Sequence, residues 1–201
     1  PSQSSFDPHT QQRFQEATGI SLPGELVGTA DRARWILTHH SSRWKEFKCS
    51  VITDFVRQMV TRIRAVRDED LMLGLYVPPL PCDGLESWAG QRLSELSSLV
   101  DVISPMAYHA ILHRSPSWVG EVIADLSAQV PHPLLPVVQV DSEEGKEAGA
   151  DWGPPIPLEE WGSVVRLVSD SPSVSGLIAF TGTALLSEGR GECLLKSMKQ
   201  P

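Results

Sequence analysis

The amino-acid sequence predicts an α/β fold with a parallel sheet, read as the C-terminal part of a (β/α)8 TIM barrel with about four βα units. Three observations lead there. Four short apolar segments recur: Leu71–Pro78 (LMLGLYVP), Val100–Tyr108 (VDVISPMAY), Leu134–Asp141 (LLPVVQVD) and Gly176–Thr183 (GLIAFTGT). Runs this continuously apolar are what strands buried on both faces require. Each follows a helical stretch, and helices between strands impose parallel crossover connections. Finally, 201 residues, 41% of them hydrophobic and 21% charged, can bury a core as one domain over 1–201, whereas a complete barrel takes about 250 residues. The chain therefore reads as the second half of a barrel, opening in the middle of a loop, with its functional groups at the C-terminal strand ends.

The elements follow in order. After the flexible lead Pro1–Ser5, Asp7 can cap a helix with Pro8 at its first position, running to about Thr18 before Gly19 stops it. Ser21–Thr29 is a loop punctuated by Pro and Gly, and Arg32–Lys48 is mixed, anchored by Trp35, Trp44 and Phe47. Over Val51–Val66 the residues Ile52, Phe55, Val56, Met59, Val60, Ile63 and Val66 keep helical spacing, with Arg57, Arg62, Arg64 and Arg67 opposite. Pro78, Pro79 and Pro81 close the first strand. Further helices are expected over Leu85–Leu99, over Ser117–Gln129 capped by Ser115 or Ser117, over Leu158–Val168 and over Ala184–Met198. Ser142–Pro157, acidic and rich in Gly and Pro, reads as a long loop.

A net charge of −8 argues against a nucleic-acid or anionic-membrane partner, which would want clustered Lys and Arg. No apolar run is long enough to span a bilayer, and no signal peptide is visible. The three cysteines, Cys49, Cys82 and Cys193, have no metal-site or disulfide-framework spacing. His39, His40 and His113 lack the H-E-x-x-H spacing of a metal pair. Ser104 lacks the G-x-S-x-G turn of a serine nucleophile. No metal and no cofactor is expected.

The segment Asp101–His109 is the most specific local feature. It ends by presenting Met106, Tyr108 and His109 at the expected barrel mouth. Aromatic rings pack against sugar C–H faces, and Tyr and His add hydrogen bonds. The competing reading is a buried strand end whose polar groups satisfy nearby backbone. Among the tryptophans, Trp118 and Trp161 fall in helices and read as packing residues, whereas Trp88 and Trp152 fall near loops and could stack on sugars. Trp152, followed by Gly153, Pro154 and Pro155, is the better platform. Asp7 and His9 read as a cap region, and Asp83 as part of a surface loop.

The segments SPMAYH (Ser104–His109), WAGQRL (Trp88–Leu93) and Trp118-Val119 carry a resemblance, joined by FDPHTQQRFQEATGI (Phe6–Ile20), Trp44…Phe47 before Ile52-Thr53, and PVVQ (Pro136–Gln139). Together they resemble a glycoside-hydrolase-like TIM-barrel family related to family 10 enzymes, over nearly the whole chain. The resemblance implies the barrel, hydrolysis of a glycosidic bond in a polysaccharide or glycoconjugate, and no cofactor. In that family an acidic strand-end segment of the form L-D-F-I-R-Y-P precedes the Asp7 region; it is absent here, which puts half of the expected site outside this sequence. Glycoside cleavage usually takes two carboxyl groups, about 5–5.5 Å or about 6.5–9.5 Å apart according to stereochemistry. With Leu134–Asp141 as the seventh strand, the resemblance implies Asp141 as the catalytic carboxylate within this chain, with Glu143 and Glu144 close behind. Asp-Ser-Glu-Glu-Gly also reads as a solvated acidic turn, the favoured reading for the two glutamates. The relatives hold Gln139 more firmly than a carboxylate at 141, which makes Gln139 an alternative ligand-binding group. Tyr108, His109, Gln139, Trp152, Met106 and Trp88 would shape the subsites. The alternative is a non-catalytic carbohydrate-binding or scaffold barrel, or an inactive fragment. Open barrel edges would favour self-association.

Overall fold

Asp7 starts the first helix, α1 (Pro8–Thr18), by the expected chemistry. Its Oδ1 accepts the backbone N–H groups of His9 and Thr10, each at 3.0 Å, and Pro8 occupies the first turn, where a missing N–H costs nothing. Gly19 ends the helix. The computed structural model describes residues 6–66, 71–147, 149–187 and 189–198, so Pro1–Ser5 and Arg67 lie outside the described residues. The chain divides into two units, Pro1–Glu69 with Cys82–Leu99, and Asp70–Pro81 with Val100–Pro201.

In the first unit α1 is followed by α2 (Thr29–His39) and α3 (Ser41–Val66), separated by the non-helical His40. The mixed segment thus resolves into two helices. Neither Pro nor Gly interrupts residues 41–66, so α3 runs for 26 residues. Phe6, Phe14, Ala33, Ile36, Trp44 and Phe47 form the core. The rings of Phe6 and Trp44 stack at 4.5 Å, and Phe14 meets Trp44 and Phe47 edge-on at 5.1 and 5.6 Å. Helical spacing along residues 52–66 identified the helix but not its burial: Phe55 is 61% and Val66 82% exposed. The single helix expected over 85–99 is instead α4 (Cys82–Gly84) running into a π-turn (Leu85–Ala89), then α5 (Leu93–Leu96). Gly90 makes the break, because its φ of +66° is left-handed and cannot continue a helix.

The second unit holds β1 (Gly74–Val77), β2 (Val102–Ala107), β3 (Val137–Gln139) and β4 (Ile178–Phe180) in one sheet of order β1-β2-β3-β4, every pairing parallel. The fold is therefore α/β with a four-stranded parallel sheet. Each strand is shorter than its apolar run. Pro78 follows β1 directly, and Pro136 separates β3 from a bridge at Leu134, since proline has no N–H to give the ladder. α6 (Ser117–Ser127) packs on β2 and α8 (Leu158–Ser169) packs on α6, with buried faces of Val119, Val122, Ile123 and Leu126, and of Trp161, Val164, Val165 and Val168. The last expected helix is split into a 3-10 turn (Thr183–Leu186) and α9 (Arg190–Met198), and the long loop 142–157 contains α7 (Glu143–Glu147). The cap of α6 differs from expectation: Pro116 stands at the cap, while the Ser115 and Ser117 hydroxyls bond each other at 2.8 Å. No helix among the described residues is long and apolar enough to cross a membrane.

Burial ranks the substitutions in the first unit. Phe14→Ala, at a fully buried site, should lower stability by about 3–5 kcal/mol. Phe55→Ala, on the exposed face of α3, should stay within about 0.5 kcal/mol of the parent. Urea unfolding curves of the two variants check both values.

Candidate functional site

Parallel strands bring their C-terminal ends to one rim of the sheet. In this unit the rim carries Tyr108 and His109 after β2, Val140 and Asp141 after β3, and Thr181 after β4. The loop 141–156 folds over it, held by two buried polar side chains.

The first is Arg190, the opening residue of α9 and buried. Its Nη2 donates to Asp141 Oδ2 at 2.8 Å and to the Ile156 carbonyl at 2.7 Å, and its Nη1 to the Val140 carbonyl at 3.1 Å. The Arg190 carbonyl in turn accepts the Trp161 indole N–H at 3.2 Å. Asp141, with a side chain 15% exposed, accepts the Ser142 N–H on its other oxygen at 2.7 Å. A guanidinium this buried needs such partners, because an unpaired buried charge is strongly destabilising.

The second is Gln139, fully buried at the end of β3. Its Nε2 donates to the carbonyls of Asp141 (3.1 Å) and Trp152 (2.9 Å), and its Oε1 accepts the Ile111 N–H at 3.0 Å. Both amide donors are engaged inside the protein. Gln139, expected as a ligand-binding group, here ties the backbone of Ile111, Asp141 and Trp152 together.

These ties present Trp152. Its indole lies against Phe180 (centroids 5.2 Å apart), which stacks on Tyr108 at 4.8 Å, so three aromatic rings form one wall. The indole sits directly over Gly145, where any Cβ would come within 1.9 Å of Trp152 Cγ. Beside it opens a cavity of about 290 Å³ lined by Asp141, Glu143, Trp152, Thr181, Thr183, Ala184 and Ser187. Burial raises the pKa of the Tyr108 phenol, with a smaller push in the same direction from Tyr76.

The predicted residues thus separate. Asp141, Trp152 and Tyr108 come together, and Glu143 joins them; the side chain of Glu144 lies outside the described residues. Met106 is a half-buried strand residue paired with Val137. His109 is buried in the interior, its Nε2 at 3.0 Å from Glu160 Oε1 and its Nδ1 without a partner among the described residues, so it does not present itself at the mouth as expected. Trp88, 47% exposed on the π-turn, belongs to the first unit, as do the cap Asp7, the exposed His9 and the exposed Asp83. His39 and His40 pack on Trp35, and Ser104 is buried in β2. Among the described residues no group of three or more His, Cys, Asp or Glu side chains is gathered as a metal site. Sequence reasoning missed Arg190, Glu160 and the hydroxyls of Thr181, Thr183 and Ser187. The polar strand end Phe180–Thr183 was a usable signal for two of these.

Three outcomes follow. Arg190→Met leaves Asp141 and two carbonyls without their donor and should cost about 3–5 kcal/mol of stability, read from denaturant unfolding. Gly145→Ala should displace the Trp152 indole, changing tryptophan fluorescence and lowering stability by about 1–3 kcal/mol. The folded Tyr108 phenol holds its proton to higher pH than an unfolded tyrosine, at about 10. Its contribution to stability is therefore full below that value and is lost as pH rises through the folded pKa. Ultraviolet phenolate titration should show a late-ionising tyrosine that disappears in Tyr108→Phe.

No family model matches the chain, and no curated protein matches it.

Proposed function

We propose that this chain is the second half of a (β/α)8-type barrel of a glycoside-hydrolase-like protein, that its strand ends bind a carbohydrate, and that Asp141 is one carboxylate of a pair cleaving a glycosidic bond. The sheet order supports the barrel. A doubly wound sheet reverses strand order at a switch point, whereas β1 to β4 follow one another as barrel strands do. The edges of β1 and β4 would be completed by the other half or by self-association.

The observation that carries the sugar-binding reading is the aromatic wall of Trp152, Phe180 and Tyr108 joined to a cavity lined by two carboxylates and three hydroxyls. Apolar ring faces cover the C–H face of a sugar, and carboxylate and hydroxyl oxygens accept its O–H groups. Asp141 stands at the end of β3 with its orientation fixed by Arg190 and Ser142, as a positioned catalytic group requires. Its partner carboxylate lies outside this chain in this reading.

The second reading, a non-catalytic carbohydrate-binding barrel, is favoured by two specific contacts. Both oxygens of Asp141 already accept hydrogen bonds from the protein, which also suits a strut. Asp141→Asn keeps an acceptor for Arg190 and separates the two. If Asp141 is catalytic, glycan turnover should fall roughly 10²–10⁴-fold with affinity nearly intact. Unchanged turnover would sink the catalytic role.

A further inference from the structure

One aromatic ring of the C-terminal rim stands beyond the wall of Trp152, Phe180 and Tyr108. Tyr76 is the last residue but one of β1 and pairs in register with Ser104 of β2. Paired positions on neighbouring strands share a face of the sheet, as do positions two apart on one strand. Tyr76 therefore shares its face with Met106. Through the pairings of Met106 with Val137 and of Gln139 with Phe180, it also shares that face with Phe180. It is 56% exposed, whereas Tyr108, Trp152 and Phe180 are half-buried. Burial is the main cause of the raised Tyr108 pKa, and Tyr76 adds to the rise, which requires its phenol to lie near that of Tyr108. The rings thus form a row, from Trp152 to Phe180 at 5.2 Å, to Tyr108 at 4.8 Å and on to Tyr76. The cavity opens at the Trp152 end, and Tyr76 is not among the residues that line it.

Resting on the sugar-binding reading above, we infer that Tyr76 is a second stacking subsite, and that the rim takes an oligosaccharide of several linked rings rather than a single sugar. A sugar ring is similar in width to one aromatic ring, so a monosaccharide seated at Trp152 leaves Tyr76 bare. A chain whose first ring fills the cavity can follow the row and lay a later ring on Tyr76. That ring supplies an apolar face for sugar C–H groups, and its phenol supplies a donor and an acceptor for sugar hydroxyls. Tyrosine also gives this contact area at a low cost in conformational freedom, since only two torsions are fixed.

Isothermal titration of the chain with xylose and glucose, and with xylotetraose and cellotetraose, tests this. The tetramer that binds should do so at least about tenfold more tightly than its own monomer, about 1.4 kcal/mol. Tyr76→Ala should remove about that tenfold at an unchanged melting temperature, because the side chain is largely in solvent. Tyr76→Phe, which keeps the ring, should retain the gain. Equal affinity for monomer and tetramer, or tetramer binding indifferent to Tyr76→Ala, would overturn the inference and leave the sugar-binding reading standing. A loss in Tyr76→Phe as large as in Tyr76→Ala would overturn the stacking role too. Binding of none of the four sugars would overturn the sugar-binding reading itself, and the inference with it.

Discussion

The guanidinium of Arg190 is the tie on which the rim of the sheet depends. It grips the carbonyls of Val140 and Ile156, close to the two ends of the loop 141–156, and the carboxylate of Asp141 between them. Only arginine can do this from one side chain, because its planar fork offers five donors in fixed directions. Without it the loop would need its own apolar packing to close, yet the segment is rich in acid and glycine, and among its described residues the buried ones are Ser142, Gly145 and Ile156. Burial makes the tie strong and also makes it indispensable, since each partner removed leaves another polar group dry.

Gln139 and Gly145 pass that order on to the aromatic wall. The amide holds the Trp152 backbone, and the bare Cα of Gly145 gives the indole a seat that no other residue would leave open. Phe180 then fills the space between Trp152 and Tyr108. A platform fixed in this way loses little conformational freedom when a ligand settles on it, which is how a small cavity can bind a polar molecule usefully. The residues that make the site are therefore mostly not those that would touch a ligand.

What was legible in the sequence follows from which interactions are local. The four parallel strands announced themselves as Val, Ile and Leu runs, and α1 as Asp7-Pro8 followed by Gly19. Trp152 was recognisable because the Gly and Pro beside it mark a rigid loop. The rest was decided at long range. Arg190 meets Asp141 across 49 positions, and His109 meets Glu160 across 51, and no local spacing signals either pair. Periodicity placed His109 and Gln139 at strand ends but could not say that both side chains turn inward to neighbouring segments. The stripe of Ile52 to Val66 has the spacing of a buried face, while Phe55 and Val66 stand in solvent, because period reports shape and not what covers it.

The central claim, a sugar-binding surface on Trp152, is tested most directly by nuclear magnetic resonance of the nitrogen-labelled chain, whose six tryptophans give separate indole N–H signals. Titration with a neutral xylo-oligosaccharide should shift the Trp152 signal in a saturable manner while those of Trp118 and Trp161, packed in helices, stay in place. A Trp152 signal that does not move while the oligosaccharide is added to excess would contradict the account.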